Sequence, residues 1–275
     1  MQPTFSIQDS QTDPATARLI IETGPMGFSF VVLDETNCFT AATVYHFPAG
    51  LEFSSLPDIL DKIISGEPLL KQQYKITSII WAFFESILVP PAFIDRMANA
   101  EILHLIFGDL QPGRVLTDFI YTQNLHNVYR LPIVVSDNMA AHFPNAIHTH
   151  QYSLLPGNLI KQAAHFTVIC YTQSLTVQCS RNGALLLVRN YVYHTPEDAV
   201  YHILNLCESF EIKPEDVVLH LSGMIEADSN LYKALYKYFL NIEWETLPAD
   251  ATYISAIKNK PPHYFSHLFV SALCV

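Results

Sequence analysis

The sequence predicts an α/β protein built from two tandem domains of one type. Three observations predict it. The order β-β-β-α-β-α reads twice along the chain, both first helices carry the same start signals, and each leads into a short run that is apolar without interruption.

In the first half, Leu19–Glu22, Phe28–Leu33 and Phe39–Tyr45 are β-prone runs separated by the turn residues TGPMG and DETN. In the second half, Phe166–Cys170, Leu175–Cys179 and Ala184–Tyr193 are separated by TQS and SRNG. The triplet Val44-Tyr45-His46 at the end of the first meander recurs as Val192-Tyr193-His194, 148 residues on. Helix starts follow: Ser55-Leu56-Pro57-Asp58 before ILDKII, and Thr195-Pro196-Glu197-Asp198 before AVYHILNL. A Ser or Thr cap, a proline in the first turn and acids at the positive helix end make that signature. Val200, Ile203, Leu204 and Cys207 then keep helical spacing. Ile76–Phe84 and Val217–Leu221 read as central strands covered on both faces. Residues 101–131 add β-prone material with no counterpart in the second half, and HYFSHLFVSALCV at the end reads as a closing helix. The expected organisation is a polar tail at residues 1–16, a first domain at 17–152 and a second at 165–275.

Bulk properties restrict the functions. Half of the 275 residues are hydrophobic, so the chain buries a substantial core. Only 15% are charged, against roughly 25% in soluble proteins, and a surface that poor in charge suits a protein partner. Residues 1–160 carry 7 Lys/Arg against 15 Asp/Glu, and residues 161–275 carry 8 against 11. Neither half offers a basic patch for nucleic acid or anionic lipid. No apolar stretch approaches the ~18 residues of a membrane span. The N-terminus lacks the charged and apolar regions of a signal peptide. Cys38, Cys170, Cys179, Cys207 and Cys274 are scattered and odd in number, which reads as reduced thiols in the cytoplasm.

A duplicated meander, helix, strand and helix resembles the plan of the actin-like ATPase superfamily, each half being similar to the ribonuclease H fold. The whole chain also resembles a Bacteroidota family of unknown function with that fold. The resemblance implies ATP between the halves, held by two phosphate turns with Mg²⁺ and by a strand end beside the adenosine. Val217–Gly223, followed by Asp228-Ser229-Asn230-Leu231, is similar to the adenosine motif, with Ser222 and Gly223 as the small pair. A strand-to-helix turn with Asp228 or Ser229 as cap explains the same residues. The first phosphate turn is Glu22-Thr23-Gly24-Pro25-Met26-Gly27, in which Gly24 and Gly27 offer backbone N–H groups and Glu22 stands where the family has a metal-linked Asp. A Gly-Pro hairpin is the preferred reading there. The second turn is Tyr171-Thr172-Gln173-Ser174, without acid or glycine. Backbone cannot wrap a phosphate there and Mg²⁺ loses an oxygen ligand, so this departure argues against ATP hydrolysis.

Asp137 in LPIVVSDNM falls where the superfamily positions a water-activating residue, and a helix cap is the preferred alternative. His142, His148 and His150 cluster near it, with HxH placing two rings on one strand face; a solvated or hydrogen-bonded set is preferred to a metal site. LYKALYKYFLNIEW reads as one helix with Tyr232, Tyr236 and Phe239 along one side. No GxSxG, HExxH, P-loop or paired catalytic carboxylates occur. The leading expectation is a non-catalytic cytoplasmic binding or scaffold protein with a protein partner, a homodimer being one form, and without nucleic acid or membrane insertion. The alternative is an ATP-dependent phosphotransferase or nucleotide-gated switch. A third reading, metal-dependent nuclease, needs clustered carboxylates, and only Glu22 is suggestive.

Overall fold

In the first half, strand β2 (Arg18–Gly24) is the organising element, because it pairs antiparallel with Gly27–Leu33 on one side and parallel with Ile76–Trp81 on the other. The computed structural model describes all residues except 9–11, 49, 95–97, 109–111 and 162, and the side chain of residue 158. Residues 9–11 of the expected tail, 109–111 of the extra segment and 162 near the expected domain boundary therefore lie outside the described residues. The chain divides into two units, residues 1–154 with 249–259 and 271–275, and residues 155–248 with 260–270.

The first unit begins with β1 (Phe5–Gln8), β2, β3 (Gly27–Leu33) and β4 (Cys38–His46), then α1 (Leu56–Gly66), β5 (Ile76–Trp81) and β6 (Ser86–Val89). It continues with α2 (Pro91–Ile94), α3 (Asn99–Phe107), β7 (Gly113–Ile120), β8 (Leu125–Pro132), α4 (Ile133–His142), β9 (Ile147–His150) and α5 (Gln151–Leu154). The second unit holds β10 (His165–Cys170), β11 (Ser174–Arg181), β12 (Ala184–Val192), α6 (Pro196–Ser209), β13 (Val218–Gly223), α7 (Asn230–Tyr236) and β14 (Asn241–Trp244). After it come β15 (Thr252–Tyr253), α8 (Ser255–Lys258) and α9 (Ser266–Leu273).

The large sheet runs β1-β4-β3-β2-β5-β9, with β15 beside β4. The sheet of the second unit runs β12-β11-β10-β13-β14. The meander, helix and parallel strand of the sequence reading are therefore found twice: β2–β4, α1 and β5, then β10–β12, α6 and β13. Each half carries a further parallel strand that was not expected, β9 beside β5 and β14 beside β13. Both are four residues long, too short to show a period. β1 arises within the stretch read as a polar tail and pairs antiparallel with β4.

Local chemistry explains the better-read elements. Thr195 caps α6, accepting from Asp198 N–H at 3.2 Å, while the Asp198 carboxylate accepts from Thr195 N–H at 2.9 Å. The helix ends at Ser209 and is closed off by Glu211, left-handed at φ 54, with Ile212 N–H donating to Cys207 O at 2.8 Å. Asn182-Gly183, at φ 53 and 78, forms the two-residue turn joining β11 to β12. α1 starts at Leu56 as expected, but Ser55 makes no side-chain cap.

Each unit has its own core. Ile21, Phe30, Ile79 and Trp81 of the large sheet pack with Leu60 and Ile63 of α1 and Val135 and Met139 of α4. Phe166, Val177, Leu219 and Leu221 pack with Ile203 of α6 and Leu235 of α7. Each such side chain contributes about 1.5–3 kcal/mol by leaving water.

The extra segment forms a third sheet, β6-β8-β7, within the first unit. Residues 101–107, read as β-prone, are part of α3, which buries Ile102 and Leu103 against Val89 and Val128. Asp118 of β7 fastens the end of the large sheet to this one. Its carboxylate accepts from Ser153 Oγ at 2.6 Å, His150 N–H at 2.8 Å, Tyr129 OH at 3.1 Å and Thr149 Oγ1 at 3.2 Å. Burial, with Asp118 beside it, pushes the Tyr129 hydroxyl up, so it stays a donor. Hydrogen bonds to a charged acceptor contribute about 1.5–3 kcal/mol each, less the desolvation of the groups that make them. Asp118→Ala is therefore expected to lower the unfolding free energy by about 2–4 kcal/mol in urea denaturation. A loss below about 0.5 kcal/mol, the scale of an ordinary surface substitution, would show that the carboxylate is not a fastener.

Candidate functional site

The first candidate turn is a two-residue hairpin. Gly24 and Gly27 face each other across Pro25-Met26. A Cβ on Gly24 would lie 2.6 Å from Ala82 O, and one on Gly27 would lie 2.4 Å from Tyr45 O. Both glycines are thus demanded by the approach of neighbouring backbone. The Met26 carbonyl accepts from Phe47 N–H at 2.9 Å, which closes the turn onto β4. Glu22 is buried in β2, and its carboxylate accepts from Gln151 Nε2 at 3.3 Å, at the start of α5.

The second candidate turn is closed by corresponding hydrogen bonds, with different side chains. Tyr171 N–H donates to Ser174 O at 2.9 Å, and Tyr193 N–H donates to Gln173 O at 3.0 Å, as Phe47 does to Met26. Gly27 is paired with His46 and Ser174 with Val192, so Tyr171 takes the place of Gly24 and Ser174 that of Gly27. Val192 matches His46, so the repeated VYH triplets lie two residues out of step in the sheets. The duplication is carried by the backbone pairing instead. Tyr193 OH donates to Tyr171 O at 2.9 Å and covers the turn. A phosphate with Mg²⁺ does not fit these residues. No carboxylate stands in the turn, its glycine position holds a tyrosine, and the Tyr171 N–H already donates to Ser174 O.

The strand end of Ser222-Gly223 is shaped by one contact. Gly223 has φ 89, and a Cβ there would lie 2.2 Å from Cys170 O. Met224 N–H donates to that same carbonyl at 3.2 Å. Beyond the turn, His263 Nε2 donates to Ile225 O at 2.8 Å. The His263 ring stacks on Trp244 at 4.2 Å, and Trp244 stacks on Tyr232 at 5.2 Å. These flat surfaces are used on one another. Ser229, not Asp228, caps α7, its hydroxyl accepting from Tyr232 N–H at 3.1 Å. LYKALYKYFLNIEW is not one helix: α7 ends at Tyr236, Phe239 is buried, and β14 begins at Asn241. Ser222 is buried, and its hydroxyl has no hydrogen-bond partner.

The remaining candidates disperse. Asp137 lies inside α4, whose N-cap is Pro132, so it is not a cap; it pairs with Arg114 at 2.8 Å. His142 contacts Asp61 at 2.6 Å, and Asn138 donates to the same carboxylate at 2.8 Å. His148 stacks on Trp81 at 5.6 Å. His150 is fully buried; its Nε2 donates to Phe83 O at 2.9 Å, and its Nδ1 accepts from Tyr152 N–H at 3.1 Å. That arrangement fixes one neutral tautomer, and burial pushes the ring down to about 4. Among the described residues, no three His, Cys, Asp or Glu side chains are placed to hold a metal ion. Sequence reasoning had no signal for Gln151 on Glu22 or for the Tyr232–Trp244–His263 stack, because both join residues far apart in the chain.

A family model described as a protein of unknown function, DUF3822, matches residues 6–242. No curated protein matches the chain. Among solved structures, the chain is similar to a Bacteroides thetaiotaomicron protein of actin-like ATPase fold and unknown function, with TM-score 0.76 and 16% identity over 94% of this chain and 96% of that one. It is similar to a chain of the PilM-PilN type IV pilus biogenesis complex, with TM-score 0.64 and 15% identity over 96% and 99%. It is also similar to the ethanolamine utilization protein EutJ of Carboxydothermus hydrogenoformans, with TM-score 0.53 and 7% identity over 98% and 93%. At such identities the likeness establishes the fold, and the fold is that of the actin-like ATPases.

Because the Gly223 conformation is left-handed and its Cβ space is filled by Cys170 O, Gly223→Ala acts on stability before it acts on any ligand. It should cost about 2 kcal/mol or more in chemical denaturation, while Ser229→Ala should cost about 1 kcal/mol. A Gly223→Ala protein as stable as the wild type would show that the glycine serves something other than the turn.

Proposed function

We propose that this chain, which belongs to the DUF3822 family of unknown function, is a non-catalytic binding or scaffold protein that acts in the cytoplasm through a protein partner. One observation carries the reading. The second turn, Tyr171–Ser174, keeps the closing hydrogen bond of the first, but it has tyrosine in the place of glycine, no acid, and a tyrosine hydroxyl donating to its Tyr171 carbonyl. Two further observations support it. One similar solved structure is itself a complex of two proteins, PilM with PilN. Charged residues are scarce in this chain. Among the described residues no helix is long and apolar enough to cross a membrane.

A second reading, an ATP-binding phosphotransferase or nucleotide-gated switch, is favoured by one observation. Ser222 Oγ is buried and without a hydrogen-bond partner at the very strand end where the resemblance puts adenosine. In that reading Ser222, Gly223, Gly24 and Gly27 hold the nucleotide, and Glu22 or Asp137 serves the chemistry.

Melting of the purified chain with and without ATP, ADP and Mg²⁺ separates the two. A ligand at 100 times its dissociation constant adds about 2.7 kcal/mol to stability. The binding reading expects no change in melting temperature at millimolar nucleotide, and a clear rise would replace it with the nucleotide reading. It also expects cross-linking in a cell extract to trap one specific partner protein, and repeated failure to trap any would count against it.

A further inference from the structure

The first unit contains a cavity of about 420 Å³ that no part of the nucleotide resemblance uses. This lies within the ~300–1,000 Å³ span of ligand pockets. It forms where the chain leaves the large sheet for the three-stranded one. Phe83 and Phe84 provide one wall, Ile133 and Val134 from the first turn of α4 provide another, and Phe53 leans on Phe83 at 5.7 Å. Phe53, Ile133 and Val134 are 37%, 42% and 49% exposed, so apolar surface runs out of the cavity onto its rim. An apolar surface kept in water at such a place marks a binding surface more often than a folding requirement.

The polar groups of the cavity define what enters it. Glu85 and Arg130 both line it, with their charged groups 3.7 Å apart, longer than a hydrogen bond. Burial raises the Glu85 carboxyl, which Arg130 only partly offsets, so this carboxylate gains from further N–H donors. α4 begins at Ile133 without a side-chain cap and without an acid in its first turn, which leaves first-turn N–H groups to donate to carbonyl oxygens. A site offering a carboxylate acceptor, backbone donors and apolar walls suits a ligand with all three complements. A fatty chain lacks the donors, and a phosphate would meet Glu85. A polypeptide segment has them all, and the formal charge of −11 favours basic residues in it.

We propose that the cavity lined by Phe53, Phe83, Glu85, Arg130, Ile133 and Val134 docks an extended apolar segment of a partner protein that carries a basic residue or amino terminus beside its apolar side chains. The inference rests on the reading of the chain as a partner-binding protein and supplies the place and chemistry of the contact. Apolar side chains of the segment fill the cavity, its carbonyls meet the first turn of α4, and its positive group meets Glu85.

The test pans a phage-displayed random peptide library on the immobilised full chain, then measures the enriched peptides, made synthetically, by fluorescence anisotropy. The expected peptides pair apolar or aromatic residues with Lys or Arg. Val134→Asp, at an exposed position that leaves the melting temperature unchanged, should weaken them about tenfold or more, the effect of losing an anchoring contact. Glu85→Gln should weaken them by less and remove the preference for a basic residue. Tyr201→Asp, on the exposed face of α6 in the other unit, should change nothing. No enrichment, acidic peptides, indifference to Val134→Asp, or uptake of decanoate without any peptide binding would each overturn the proposal. A partner trapped from cell extract that binds Val134→Asp as well as wild type would overturn the cavity and leave the partner-binding reading intact; no trapped partner would remove both.

Discussion

Each unit depends on the strand that joins its antiparallel meander to its parallel strands. β2 pairs antiparallel with β3 and parallel with β5, and β10 pairs antiparallel with β11 and parallel with β13. A strand so placed has no free edge and both faces covered, which is why nearly all of its residues are buried, polar ones such as Glu22 and His165 included, and why its neighbours come close at its end. The last bonds of the parallel pairs, Ala82 N–H to Thr23 O and Met224 N–H to Cys170 O, draw backbone against backbone. Gly24 and Gly223 are the consequences of that approach. Glycines that resemble a nucleotide motif are therefore required by the sheet, whether or not a nucleotide ever binds.

This separation of fold from chemistry explains how the turns have diverged. The backbone bonds that close a turn of this kind need no particular side chain, and both turns make them: Phe47 to Met26 in one, Tyr193 to Gln173 in the other. Phosphate and Mg²⁺ need a carboxylate and free N–H groups, which are side-chain and solvent properties. The second turn has no carboxylate, and Tyr193 OH donates to its Tyr171 carbonyl.

The same distinction decides what was legible in the sequence. The two meanders, both first helices and both central strands were readable because long apolar runs, turn residues and the Thr195 cap act locally. β9 and β14 were not, since four residues give no period, and neither was the helical nature of Glu101–Phe107, which buries only Ile102 and Leu103. The VYH triplets pointed to a true duplication from a false register, because sequence identity and hydrogen-bond pairing differ there by two residues. Of the candidate site, Gly223 was readable as a special position, but its cause, the Cys170 carbonyl, lies 53 residues away in the chain. Asp118 was invisible for a related reason. On an alternating strand a lone Asp looks solvated, and only the fold brings four donors to it.

Asp118 also bears on where binding can occur. A shape-specific pocket must be held by elements that do not slide, since a site loosened by an ångström loses its complementarity. The cavity beside α4 lies where the three-stranded sheet departs from the large one, a joint that an apolar seam alone would leave free to shift. Four hydrogen bonds to one carboxylate, the Arg130 N–H to Glu85 O bond at 2.9 Å, and the buried His150 ring on Phe83 O fix that joint by direction as well as by contact. Directional bonds cost desolvation that an apolar seam would not. Their concentration where Phe83 and Glu85 turn toward an open apolar surface is what a rigid docking site requires.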